Sequence, residues 1–396
     1  MNPLIGIILI LASSIGHAEW WIQLVNRSHA FRIDHRKLRQ VRRLHDVAVL
    51  IYPLWLVQAA GTGENGLLNG GVLTDLPAYL RWILAVTSLG LIPLIGGMIR
   101  WQLRHRALFH AADSTEVCDL HLMARSELIP GDVPGPRKSA FRKVPGNQIL
   151  QLEINSKSLR LGRTSQRAHT ISSPLHIVHF SDLHFCGSPG EGYYRWAFGR
   201  AADLKPDAFV FTGDLIDDPK LIPMALDCLK SLVSVAPCYF ILGNHDWRHD
   251  YESLRSALSD TGWNDLGGQS CVHEIAGRRV LLSGCEYPWI GPQPLPAHDV
   301  DCDLRILLSH SPDQFRAAIR AGYDVMFSGH THGGQVVLPV IGPVYSPSLY
   351  GVRFASGLFQ VGRLGIHVSR GMGAKDCLRL RCRPELTSIR ITGTGS

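Results

Sequence analysis

Five short stretches of the chain combine carboxylates, an amide and imidazoles. "SDLH" sets Asp182 and His184 one residue apart, and "GDLID" carries Asp214 and Asp217. "GNHD" carries Asn244, His245 and Asp246, "SHS" carries His310, and "GHTH" carries His330 and His332. Each follows a short apolar run rich in β-branched and aromatic residues, which reads as a buried strand. A strand alternates faces, so Asp182 and His184 share one side at the strand's end. Taken singly, each stretch also reads as an ordinary turn, because Gly-Asp and Gly-Asn start turns and a lone His is commonly a satisfied polar residue. Five such tips built from Asp, Asn and His, without a thiolate, instead suit a hard or borderline divalent cation. Six or seven donors are too many for one ion. They suit two ions about 3.5–4 Å apart that share a bridging carboxylate.

The elements that must position these residues alternate strand and helix from Leu175 onward, which predicts an α/β fold with the site at the strand tips. Ahead of them, "ELIPGDVPGPRKS" is Pro/Gly-rich and loop-like. "ILQLEIN" and "SLRLG" alternate on either side of "SK", which predicts a hairpin leading into the catalytic region. Residues 102–170 therefore read as a linker with leading strands, and 171–396 as the catalytic domain. The loop "GCEYPWIGPQPLP" offers Tyr287, Trp289 and Ile290 either as an apolar binding surface or as a packed connection.

Residues 1–101 differ from the rest. Apolar runs at Pro3–Leu24, Val47–Ala60 and Tyr79–Ile99 predict two or three transmembrane helices, the second run being short for the ~30 Å hydrocarbon core and open to an interfacial reading. His17 and Glu19, beside Trp20 and Trp21, suit an interfacial position. Arg27, Arg32, Arg36, Lys37, Arg39, Arg42 and Arg43 separate the first two runs, and Arg100, Arg104 and Arg106 follow the third. Basic loops stay in the cytoplasm, so three spans place the catalytic domain there. A cleaved signal peptide is the rival reading, but Met1–Leu4 has no basic stretch. Nine scattered cysteines, odd in number and without a CxxC pair, agree with a reducing compartment. The net charge of +7 suits a membrane surface or a phosphorylated substrate, and no nucleic-acid-binding signature accompanies it.

The five motifs in this order resemble the calcineurin-like metallophosphoesterases, from about Leu175 to the C-terminus. "GHTHGGQ" and "CRPELTSIRI" further resemble a membrane-anchored YaeI/YkuE-like branch that includes UDP-2,3-diacylglucosamine pyrophosphatases. The resemblance implies a four-layer sandwich of two mixed sheets between helices. It implies a first metal on Asp182, His184 and His332, a second on Asn244, His310 and His330, and Asp214 bridging them. The ions are divalent, with manganese, iron and zinc all suited to such ligands. His245 would serve as proton donor, Asp246 would orient its imidazole, and Asp217 would be a supporting or turn residue.

Three functions compete on the sequence. The first is a binuclear hydrolase of phosphate esters or pyrophosphates, with a lipid-linked small molecule such as UDP-2,3-diacylglucosamine as substrate and membrane lipids as neighbours. The second is a metal-stabilised, membrane-anchored scaffold with little hydrolysis. The third is a transporter or sensor built on residues 1–100, for which three spans leave little room. The intact donor set with His245 favours the hydrolase.

Overall fold

The computed structural model describes residues 2–108, 112–119, 144–161, 174–187 and 189–393. The Pro/Gly-rich stretch 127–139 lies outside them. The chain forms two compact units, one of Met1–Arg104 with Pro339–Arg353, the other of His105–Leu338 with Phe354–Ser396.

The first unit holds α1 (Pro3–Ser28), α2 (His35–Leu56), α3 (Ala78–Ser88) and α4 (Leu91–Leu108). A π-helical turn, Val57–Gly61, extends α2, so His35–Gly61 forms 27 helical residues, long enough to cross a membrane. Pro3–Ser28 and Ala78–Leu103 are the other two spans of sufficient length and hydropathy. Small residues let the helices approach: a Cβ on Gly16 would lie 2.1 Å from the Thr87 carbonyl oxygen, and one on Gly90 would lie 2.0 Å from that of Gly16. Polar side chains join them as well, with Ser13 Oγ 2.8 Å from Tyr52 Oη and 2.7 Å from Thr87 Oγ1. His17 and Glu19, expected at the interface, also make contacts within the bundle. His17 stacks on Tyr52 at 3.8 Å, and buried Glu19 accepts from Gln23.

The second unit begins with β1 (Ala112–Asp119), β2 (Gln151–Arg160) and β3 (Leu175–Phe180), followed by α5 (Glu191–Asp203), β4 (Ala208–Thr212), α6 (Ile222–Val233) and β5 (Cys238–Ile241). After α7 (Tyr251–Ser259) come β6 (Asn264–Asp265), β7 (Ser270–Ile275), β8 (Arg278–Cys285), β9 (Leu304–Ser309), α8 (Phe315–Ala321) and β10 (Val325–Ser328). β11 (Val337–Leu338) precedes the segment that joins the first unit, where β12 (Gly342–Pro343) lies. β13 (Gly357–Val361), β14 (Leu364–Val368) and β15 (Glu385–Thr392) close the chain. One sheet runs β1-β2-β15-β3-β4-β5-β6 and the other β13-β14-β10-β9-β8-β7.

The two sheets share an apolar core that includes Ile177, Val210 and Ile241 of the first and Leu282, Ile306 and Phe327 of the second. Helices α5, α6 and α7 cover the outer face of the first sheet through Tyr194, Phe198, Leu229 and Leu254. This is the mixed two-sheet α/β architecture that the resemblance implies. The expected hairpin around "SK" is instead one continuous strand, β2. Lys157 lies mid-strand, with its ammonium 3.3 Å from Glu385 of the neighbouring β15, so the polar pair that reads as a turn is an inward ion pair.

Candidate active site

Strands β3, β4 and β5 are parallel neighbours in one sheet, and β9 and β10 are parallel neighbours in the other. Their C-terminal ends therefore open on the same edge of the sandwich, which is where such folds hold ligands. Asp182 and His184 follow β3, Asp214 follows β4, Asn244 follows β5, His310 follows β9, and His330 and His332 follow β10. The tips are laced together by backbone: Asp182 N donates to Gly213 O at 2.9 Å, His184 N to Asp214 O at 3.0 Å, and Gly329 N to His310 O at 3.0 Å.

Backbone conformation marks these residues as unusual. Asp182 (φ 51°), His184 (φ 47°), Asp214 (φ 61°), His330 (φ 70°) and His332 (φ 51°) all have left-handed φ without being glycine. Such conformations cost about 1–3 kcal/mol each and persist where the surroundings enforce them, often at functional sites. Two glycines leave room for the donors. A Cβ on Gly243 would sit 2.2 Å from Asp214 Oδ1, and one on Gly329 would sit 2.3 Å from Asp182 Oδ2.

The expected donor atoms converge in two groups that share one residue, and a third group of His184, Asp217 and His245 adjoins them. Asp182, His184, Asp214 and His332 offer atoms within 4.8 Å of one another, as do Asp214, His310 and His330. Asn244 joins the second group, its Oδ1 being 3.0 Å from His310 Nε2. Asp214 faces both: Oδ2 lies 3.5 Å from His184 Nε2, and Oδ1 lies 3.4 Å from His310 Nε2. All seven expected donors thus meet at one place.

Two imidazoles of the cluster are drawn toward the charged form, while burial, His184 and Arg379 hold His332 well below the usual range. Burial works against imidazolium at His184, yet Asp217, Asp214 and Asp182 outweigh it and raise its pKa to about 9. His310 is likewise raised to about 9 against burial, by Asp214 and Asp182. Burial also opposes the charge on Asp214, but His310 overcomes this and holds its carboxyl well below the usual range. Buried carboxylates and imidazoles with an amide oxygen are the donor chemistry of a divalent cation, so the residues present fit a metal.

The surrounding contacts give Asp246 a role other than the one expected and make the supporting role of Asp217 specific. Asp246 does not serve the His245 ring. Its carboxylate accepts from the backbone amides of Asp214, Leu215, Ile216 and Gly243 at 2.8–3.2 Å, pinning the β4 and β5 tips together. The partner of His245 is Asp217, whose Oδ1 lies 2.5 Å from His245 Nδ1 and whose Oδ2 lies 2.9 Å from His184 Nδ1. One carboxylate therefore fixes the rings of two site histidines. The swap arises because Asp246 opens a short 3-10 turn that folds its side chain back under the loop amides.

Three further residues enter the site without a motif to announce them. Arg248 Nη1 lies 3.2 Å from His245 Nε2. Fully buried Arg379 lies 3.3 Å from His332 Nδ1 and also donates to the Gly373 carbonyl. Buried Trp289 packs against His330 and His310, with ring centroids 4.8 and 5.4 Å apart. The sequence held both readings of the Trp289 loop open; the indole is a packed wall of the donor cluster, while Tyr287 is 36% exposed.

Known proteins agree with this geometry. Residues 175–334 match the family described as calcineurin-like phosphoesterase. The chain is 30% identical over 230 residues to the phosphodiesterase YaeI of Escherichia coli (strain K12), covering 56% of this chain and 83% of that protein. It is 30% identical over 247 residues to the metallophosphoesterase YkuE of Bacillus subtilis (strain 168), covering 57% and 85% respectively. It is 26% identical over 274 residues to the UDP-2,3-diacylglucosamine pyrophosphatase LpxG of Chlamydia muridarum (strain MoPn / Nigg), covering 54% and 83%. With the donor set assembled at the tips of both sheets, the chain belongs to the calcineurin-like metallophosphoesterases, metal-dependent hydrolases of phosphoric esters or pyrophosphates.

Proposed function

We propose that this enzyme binds two divalent cations and hydrolyses a phosphate ester or pyrophosphate carried on a lipid-linked molecule at the cytoplasmic face of a membrane. The observation that supports two ions is the divided carboxylate of Asp214, one oxygen toward His184 and the other toward His310. Asp182, His184 and His332 would complete one ligand group, and Asn244, His310 and His330 the other. Bound there, the cations would supply Lewis-acid polarisation of the phosphoryl oxygens and a nucleophile at neutral pH.

The chain's own residues account for the remaining steps. Asp217 fixes His245 through Nδ1, so Nε2 is the atom that delivers a proton to the departing oxygen. Burial lowers the His245 pKa to about 4, and a substrate phosphate beside Nε2 is the partner that would favour its protonated form. Arg248, already at Nε2, is placed to take negative charge from the phosphate. Asp246 keeps the β4 and β5 tips in register.

A lipid-linked substrate is supported by the three apolar helices and by the likeness to LpxG. Anchoring raises the effective concentration of a substrate confined to the bilayer, and basic residues near its surface contribute about 1 kcal/mol each toward anionic head groups. Cytoplasmic orientation is supported by the basic residues at 27–43. A reporter fused after Ser396 is expected to behave as cytoplasmic. The substrate test compares a diacylated sugar nucleotide in mixed micelles with its deacylated analogue at matched concentrations. A higher kcat/KM for the acylated form is expected; equal values would remove the acyl chains from recognition and leave a general phosphoesterase.

A further inference from the structure

The segment Pro339–Arg353 starts only seven residues after His332, yet it folds with the N-terminal helices as part of their unit. Three helices hold it. Near the end of α1, buried Asn26 donates from Nδ2 to the Val344 carbonyl at 3.2 Å and accepts from the Ser346 amide at 2.9 Å. On α2, buried His45 lies 2.9 Å from Tyr345 Oη, with the rings edge-to-face. On α4, Gln102 donates to the Val340 carbonyl at 2.6 Å. The Trp101 ring also covers Gly342, which has φ 90° and could not carry a Cβ without meeting that ring at 2.6 Å.

The positions of these contacts along the helices are informative. Asn26 follows the apolar run that closes at Leu24, His45 precedes the one that opens at Val47, and Gln102 follows the one that closes at Ile99. The segment thus crosses the helix ends where apolar surface gives way to polar. Its outward side presents Val340 (64% exposed), Tyr345 (42%) and Leu349 (37%). The spans likewise expose apolar side chains, among them Leu50, Leu54 and Ile99. The same end of α2 displays exposed Arg36, Lys37, Arg39, Arg42 and Arg43. Apolar and aromatic groups at the span ends beside basic side chains match the boundary of an anionic bilayer, where rings sit at head-group depth.

We propose that Pro339–Arg353 is an interfacial membrane-contact element, with Val340, Tyr345 and Leu349 set at the head-group boundary and the α2 basic residues holding anionic lipid. It gives the catalytic half of the sequence a bilayer contact of its own, and it does not depend on the substrate being a lipid.

The test uses the full chain in nanodiscs of mixed phosphatidylcholine and phosphatidylglycerol containing a fluorescent phosphatidylglycerol. A benzophenone amino acid replaces Val340 or Leu349, with Ile92 of the third span as a lipid-facing reference and exposed Lys205 of the catalytic unit as background. Only variants that melt within the error of the parent are scored, and either segment position suffices. Lipid cross-linking at 340 or 349 that approaches the Ile92 yield and exceeds Lys205 several-fold is the expected result. Yields at the Lys205 level, or cross-links to a second protein chain in their place, would overturn the proposal.

Discussion

The two donor groups of the site share Asp214 but are supported in different ways. Around Asp182, His184 and His332 the neighbours are charged: Asp217 braces His184, and the Arg379 guanidinium approaches His332. Around His310 and His330 the Thr212 carbonyl accepts from His310 Nδ1 at 2.7 Å, Trp289 packs on both imidazoles, and the His330 amide donates to the Asp182 carboxylate at 3.0–3.1 Å. The first group also meets solvent, with the His332 side chain 12% exposed, while His310 is fully buried. A partner on the far nitrogen of an imidazole fixes its orientation and raises its basicity, and the burial of a site controls access to it. The first group is coupled to His245 through Asp217, whereas the second packs against the Trp289 indole.

Substitutions that break this arrangement rank by what they remove. Asp214→Ala strikes both groups at once and should bring hydrolysis to background, with metal content falling alongside activity. In the proposed roles His245→Ala removes a proton donor and no ligand, so the rate should fall by about 10²- to 10⁴-fold while metal content holds. If His245→Ala stripped the metal as completely as Asp214→Ala, the division of roles between them would be wrong.

The two neighbouring aspartates sharpen the comparison. Asp217→Asn loses the charged brace on His184 and His245, and a loss of about 10- to 100-fold in activity or metal affinity is expected with little change in Tm. Asp246→Asn keeps the shape but leaves a single acceptor oxygen, so two of the four amides face an NH2 donor and lose bonds worth about 1.5–3 kcal/mol each. Its main readout should be a lower Tm, and a pure rate defect at unchanged Tm would return Asp246 to the chemistry. The smallest catalytic effect is expected of Trp289→Ala. It removes packing from the second group and should cost about 3–5 kcal/mol of stability, and urea unfolding of the folded variant measures it.

Much of this was legible because the donors follow their strands directly in the chain. An apolar run ending in Asp, Asn or His carries both the element and its ligand, and the left-handed turns at Asp182, Asp214 and His330 keep the two close. Asp217 and Asp246 were harder to tell apart. Both follow a strand tip by a few residues, and only the path of each loop decides which carboxylate reaches an imidazole and which turns under amides. Arg379 and Trp289 lie 47 and 41 residues from His332 and His330, outside any local pattern. Lys157 read as a turn because its partner, Glu385, comes 228 residues later. Pro339–Arg353 is apolar and punctuated by Pro, Gly and Ser, and its attachment to the helices rests on Asn26, His45 and Gln102, each far from it in sequence.

The central claim, a pair of cations bridged by Asp214, is tested most directly by metal analysis of the purified full-length protein after saturation with manganese and removal of free ion, for the parent chain and for Asp214→Ala side by side. The account predicts two equivalents per chain in the parent and a loss of at least one in the variant, together with its activity. A parent that saturates at a single equivalent, or an Asp214→Ala protein that retains two, would contradict it.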